Sequence, residues 1–244
     1  MGDERISKKL MAATTLRPDG WSGATKGVWT NRANVVVNEQ GGVQTRGSQL
    51  IDTLGGDDWI RGERSKGSGI ELRRDPRRSN LQLGKGADTV TGVSGDGDGI
   101  SNRGFLYAGP GNDRITGIGG KGGLALHNRG FVFTQAGRDV LDAGKGGIRG
   151  GGFADLGADH DTFLGFGDHL IYGGGGRDLL LLPKGDYTLR RRNSNRYDLE
   201  KGNKRLELTD FEVIGSIDGR KDDQLKVDKS GNLTIKKDGA IVFT

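Results

Sequence analysis

The chain has 244 residues, of which 47 are glycine, four are proline and none is cysteine. Glycine at this density without a three-residue period excludes collagen, and the missing cysteine excludes disulfides and thiol chemistry. Hydrophobic residues make up only 32 % and aromatics 6 %, which is thin for a globular core but suits a repeat array whose coils each bury a narrow strip. The formal charge of +5 fits either a solvated surface or attraction to a polyanion.

No stretch approaches the roughly 18 consecutive apolar residues of a membrane span. Near the start, Leu10-Met11-Ala12-Ala13 is too short for the apolar region of a cleavable signal peptide. Asp3 to Ala13 reads as a short amphipathic helix and Ala33 to Val37 as a first strand, so residues 1–40 are expected to cap one end of an array.

Between residues 41 and 184 one pattern recurs six times: small residues, then Asp, any residue, and a large apolar residue. Gly86-Ala87-Asp88-Thr89-Val90 and Gly111-Asn112-Asp113-Arg114-Ile115 are two of the copies. The shared aspartates are Asp58, Asp88, Asp113, Asp139, Asp161 and Asp178. Alternate strand residues share a face, so Ile60, Val90, Ile115, Leu141, Phe163 and Leu180 are expected to form one buried column. Glycines supply the positive φ that tight corners need. Most repeats fall within the 20–50 residue period of solenoids, and the fold class expected is all-β, a right-handed parallel β-helix with a β-rich C-terminal cap.

A second element lies between the aspartates. Gly99-Ile100-Ser101-Asn102-Arg103-Gly104-Phe105 aligns, with a small insertion, with Gly123 to Phe131, which holds Asn128-Arg129. Stacked at equal places, the asparagines predict a ladder, and the arginines either a solvated edge or a stripe for anions or glycans. The Arg-rich segment from Glu71 to Asn80 reads as a protruding loop. His127, His160 and His169 have no metal-ligand spacing and read as ordinary surface or turn residues. No phosphate loop, nucleophile elbow or paired carboxylate stands out, so no catalytic residue is assigned. The Arg190–Arg192 run lacks the interleaved aromatics of a nucleic-acid platform. Residues 185–244 read as a β-hairpin cap, with Arg190–Arg192 opposite Tyr197–Glu200 and a second hairpin through Lys229 to Asn232.

The aspartate motif resembles the glycine-rich nonapeptide of the repeats-in-toxin, or haemolysin-type calcium-binding, family. Gly173-Gly174-Gly175-Gly176-Arg177-Asp178-Leu179-Leu180 carries the likeness best, with the segments ending at Ile115 and Val90 close behind. The resemblance implies calcium as the cofactor, held at Asp58, Asp88, Asp113, Asp139, Asp161 and Asp178. It also implies folding driven by the ion, a structural or adhesive role, and an extracellular or cell-surface location reached by type I secretion. The departures are that the family's tandem nine-residue repeat is absent and that basic residues balance the acidic ones. The residues alone leave open a metal-free ladder in which each Asp pairs with a neighbouring Arg or accepts from turn amides. Partners beyond calcium are expected to be the chain itself, through end-to-end or strand-exchange assembly, or anionic polysaccharide, with no specific nucleic acid. A carbohydrate-active enzyme or polysaccharide-binding module is the remaining alternative.

Overall fold

The computed structural model describes residue 33 and residues 35–45, 50–73, 80–219, 225–226, 230–236 and 241–243. The expected helix at Asp3–Ala13 and most of the Arg-rich segment after Arg73 lie outside these residues. Every regular element described is a β-strand, and no helix among the described residues is long and apolar enough to cross a membrane.

Two sheets wind together as a β-solenoid. The first sheet takes one strand per coil: Val35–Asn38, Trp59–Arg64, Thr89–Ser94, Arg114–Ile118, Val140–Lys145, Thr162–Leu164, Leu179–Leu182 and Val213–Ser216, all parallel. Register places Val36, Ile60, Val90, Ile115, Leu141, Phe163, Leu180 and Ile214 in one column. All eight are at most 2 % exposed, so the column expected from the Asp-x-apolar spacing forms as read.

The second sheet is built from two short strands per coil that meet at a bend. Ile100–Asn102 and Leu126–Asn128 stack before the bend, Phe105–Tyr107 and Phe131–Phe133 after it. Further along, the two halves fuse into single strands, Ile148–Asp155 and Gly167–Tyr172. The coils with fused strands are the shorter ones, with 22 and 17 residues between ladder aspartates against 25 and 26 in the two coils before them.

Two boundaries differ from the sequence reading. Val35–Asn38 already pairs in the first sheet, so the array begins before residue 41. At the other end, parallel stacking runs past residue 184, because Lys204–Thr209 and Val213–Ser216 add one more strand to each sheet. The antiparallel strands Gly185–Arg191 and Arg196–Lys201 pair as expected. The second expected hairpin does not form. Leu225–Lys226 joins the first sheet, whereas Gly231–Ile235 pairs with Gly185–Arg191 in the second. Alternation of polar and apolar residues identifies both as strands but carries no information on which edge each will meet.

Candidate functional site

Each coil leaves the second sheet and enters the first through a corner of five residues that ends at the ladder aspartate. Two corner positions need left-handed backbone: the fourth residue before each Asp and the second before it. Gly109 and Gly111 show why glycine dominates there. A Cβ on either would collide with the carbonyl oxygen of Gly84 or Gly86 one coil earlier.

These close-packed corners set the aspartates in a continuous chain. The backbone N–H of Asp58 donates to Oδ1 of Asp88 at 2.7 Å. The N–H groups of Asp88, Asp113, Asp139 and Asp161 donate in the same way to Oδ1 of Asp113, Asp139, Asp161 and Asp178, each at 2.8 Å. Glu212 ends the run, its Oε2 accepting from the N–H of Asp178 at 2.7 Å. The backbone carbonyls of Asp58, Asp88, Asp113, Asp139 and Asp161 accept in turn from the first strand residue of the next coil. All six expected aspartates thus lie in one column, and all are at most 2 % exposed. The seventh rung escaped sequence reasoning because its acid is Glu rather than Asp. The signal was present in Glu212-Val213-Ile214, which keeps the acid-x-apolar spacing.

A second ladder runs outside the first and in the opposite direction. Asp57 accepts from the N–H of Ala87, Asn112 from that of Arg138, and His160 Nδ1 from that of Arg177, each at 2.8 Å. Arg114, next to Asp113 in sequence, pairs with Asp142 on the sheet face at 3.0 Å.

Burial shapes the acidity of the column. The Oδ2 atoms of Asp88, Asp113, Asp161 and Asp178 are buried without a hydrogen-bond partner. Desolvation pushes Asp88 and Asp178 up to about 6, Asp113 to about 7 and Asp161 to about 8, against the pull of the amide each accepts from. Like charges on adjacent rungs add to the rise at Asp113 and Asp161. Asp139 is raised by desolvation as well, opposed by the amide of Asp113 and by the Thr134 hydroxyl. Raised carboxyl groups often mark acid–base catalysis, but side chains this buried meet no substrate.

The resemblance implies calcium here, and the donor set does not fit it. Ca²⁺ takes six to eight oxygens, whereas each coil supplies one inward carboxylate whose Oδ1 already accepts an amide. One carbonyl in each of four corners is also engaged. Those of Lys85, Pro110, Ala136 and Ala158 accept from Gly56, Gly86, Gly111 and Gly137 of the preceding coil. Among the described residues, no three His, Cys, Asp or Glu side chains converge as a metal-ligating group. No family model, curated protein or solved structure matches the chain.

At the bend of the second sheet the expected asparagine ladder forms and is extended by a histidine. Asn102 Nδ2 donates to Asn128 Oδ1 at 2.9 Å and to the Phe131 carbonyl at 3.0 Å, while Asn102 Oδ1 accepts from the N–H of Gly104. Asn128 Nδ2 donates to the Phe153 carbonyl and meets His169 Nε2 at 3.1 Å, and His169 Nδ1 faces the Gly150 carbonyl. His169 is therefore a buried core residue, 5 % exposed, and not the surface residue expected. Its Nδ1 must carry the proton, since both Gly150 O and Asn128 Nδ2 have fixed roles. Desolvation holds its pKa at about 4, so the ring is neutral. Coil five places Gly150 where the asparagine stood, and the histidine of coil six crosses that gap.

The outer face beyond the bend holds aromatic rings in stacked rows. Tyr107 lies 5.2 Å from Phe133, and Phe131 lies 4.8 Å from Phe153, which in turn packs edge-on against Tyr172 at 5.6 Å. The inward partners on the same strands are the aliphatic Leu106, Val132, Ala154 and Ile171. Large rings outside and smaller groups inside reverse the usual order of burial. Reading the array by its aspartates alone leaves this face unremarked, although Phe-x-Phe at 131–133 carries the signal.

Proposed function

We propose that the chain is a self-supporting structural β-solenoid, a short rod that folds without calcium and presents its outer side-chain columns to a partner. The observation that carries this reading is the hydrogen-bonded aspartate column. Its Oδ1 atoms and one carbonyl in each of four corners are already engaged by amides of neighbouring coils, so the corners are held together by protein–protein hydrogen bonds that need no ion. The stacked rings of Tyr107, Phe131, Phe133, Phe153 and Tyr172 on one outer face support a presenting role, since contiguous aromatic surface is where partners bind.

Circular dichroism melts in excess calcium and in excess EGTA test the reading. The spectrum and the melting temperature are expected to agree in the two buffers. A solenoid that loses its β signal in EGTA, or that melts many degrees lower there, would show that an ion drives folding and overturn the proposal.

A further inference from the structure

An open cleft of about 610 Å³ runs along the corner of the first coils, beside the aromatic face. Its size falls within the range of small-ligand sites. Its floor and walls follow from one corner position, the fourth residue before each ladder aspartate. That residue has positive φ in all six coils, at Leu54, Gly84, Gly109, Gln135, Gly157 and Gly174. Glycine is the relaxed choice there, and the two exceptions bracket the cleft, with Gly84 and Gly109 as the floor between them. Leu54, with φ of 68°, is the first of the series among the described residues. Gln135, with φ of 80°, stands in mid-stack where the coils on either side have glycine. A strained backbone retained at such a place points to a use for the side chain.

Leu54 is one of only two exposed large hydrophobic residues among those described, at 49 %. Opposite it, Gln135 offers an exposed amide. Between them Asp52, Gln82 and Tyr107 form the inner wall. The Tyr107 ring is held by parallel stacking on Phe133, and Asp52 Oδ1 by the N–H of Leu54 at 3.0 Å. Lys85 and Asp52 both line the cleft, so it carries one positive and one negative group. The walls lie three coil steps apart, about 14 Å at the usual inter-strand spacing.

We infer that this cleft is a binding site for a neutral carbohydrate, a short segment of a glycan lying between Leu54 and Gln135. Sugars combine apolar C–H faces with rows of hydroxyls. Leu54 and the Tyr107 ring suit the first, and the planar groups of Asp52, Gln82 and Gln135 suit the second. The balanced charge of Asp52 and Lys85 favours a neutral chain over a polyanion. The inference rests on the presenting role proposed above and names the class of partner.

Calorimetric titration with a panel of neutral tetrasaccharides, and with polygalacturonate as the polyanion, tests it in calcium and in EGTA alike. At least one neutral tetrasaccharide is expected to bind, and Gln135→Gly to weaken it about tenfold or more while the melting temperature holds or rises. Gln82→Ala, an outward change that disturbs no corner, is expected to weaken binding too and serves if Gln135→Gly fails to fold. The inference is overturned if no neutral tetrasaccharide binds at up to about 10 mM, if only polygalacturonate binds, or if the variants bind like the parent chain. Metal dependence of folding is read from the melts, so failure of the scaffold reading and failure of this site are separable.

Discussion

The melting temperature of the solenoid is expected to fall as the pH rises from 5 to 8.5. The sign follows from proton linkage. In the unfolded chain the ladder aspartates titrate near 4, whereas in the folded chain Asp88 and Asp178 titrate at about 6, Asp113 at about 7 and Asp161 at about 8. A carboxyl group with a raised folded pKa holds a proton that the unfolded chain has released. Its contribution is complete below pH 4 and is lost as the pH climbs through the folded value. Adjacent rungs share charge, so the shifts do not add in full. A loss on the order of 5 kcal/mol between pH 5 and 8.5 is the expected scale, equivalent to roughly 10–20 °C for a chain of this size. Thermal melts across that range check it. A melting temperature that rises toward pH 8 would place ionised, stabilised carboxylates in the column. His169 acts in the opposite sense below about pH 6.5, because the unfolded chain protonates a ring that the folded chain holds neutral with a pKa of about 4, so the fall is read most cleanly between pH 6.5 and 8.5.

Substitutions at Asp113 should separate its two roles, as hydrogen-bond acceptor and as buried acid. Asp113→Asn keeps an oxygen for the N–H of Asp88, which Asp113 Oδ1 receives at 2.8 Å, and removes the charge. At pH 5, where the parent residue holds its proton, this change is expected to move stability by no more than about 1 kcal/mol. At pH 8.5, where the parent carboxylate is ionised and desolvated, Asp113→Asn is expected to be more stable than the parent by roughly 3 kcal/mol. Asp113→Ala removes the acceptor and leaves the buried amide of Asp88 without a partner. That variant is expected to lose roughly 2–3 kcal/mol at pH 5. Denaturant melts of the three chains at both pH values give the comparison. A calcium ligand would behave differently, since Asn and Ala would both destabilise the chain at either pH whenever calcium is present.

The parts of this fold that recur with a fixed spacing are readable in the sequence. A large apolar residue two places after each Asp forms the inner column, and the paired Asn102 and Asn128 form their ladder. What spacing does not encode is which way a polar group faces and what it meets. The six aspartates are consistent both with a metal-binding edge and with an amide-capping column, and only the closeness of the glycine corners decides how their oxygens are used. His169 carries no neighbouring motif because it enters its ladder across a coil that has lost the corner asparagine. Leu54 and Gln135 look like ordinary imperfections of a glycine repeat until their positive φ and their places at the two ends of one cleft are seen together.

We propose that the aspartate column is a buried chain of amide acceptors that is partly protonated at neutral pH. Proton release on unfolding tests it most directly. It can be measured near pH 6 by calorimetric unfolding in buffers of different ionisation enthalpy. With Asp113 and Asp161 at about 7 and 8 and Asp88 and Asp178 at about 6 in the folded chain, set against the proton that His169 largely takes up, unfolding is expected to release about two protons per molecule. Unfolding that releases none, or that takes protons up, would contradict the account.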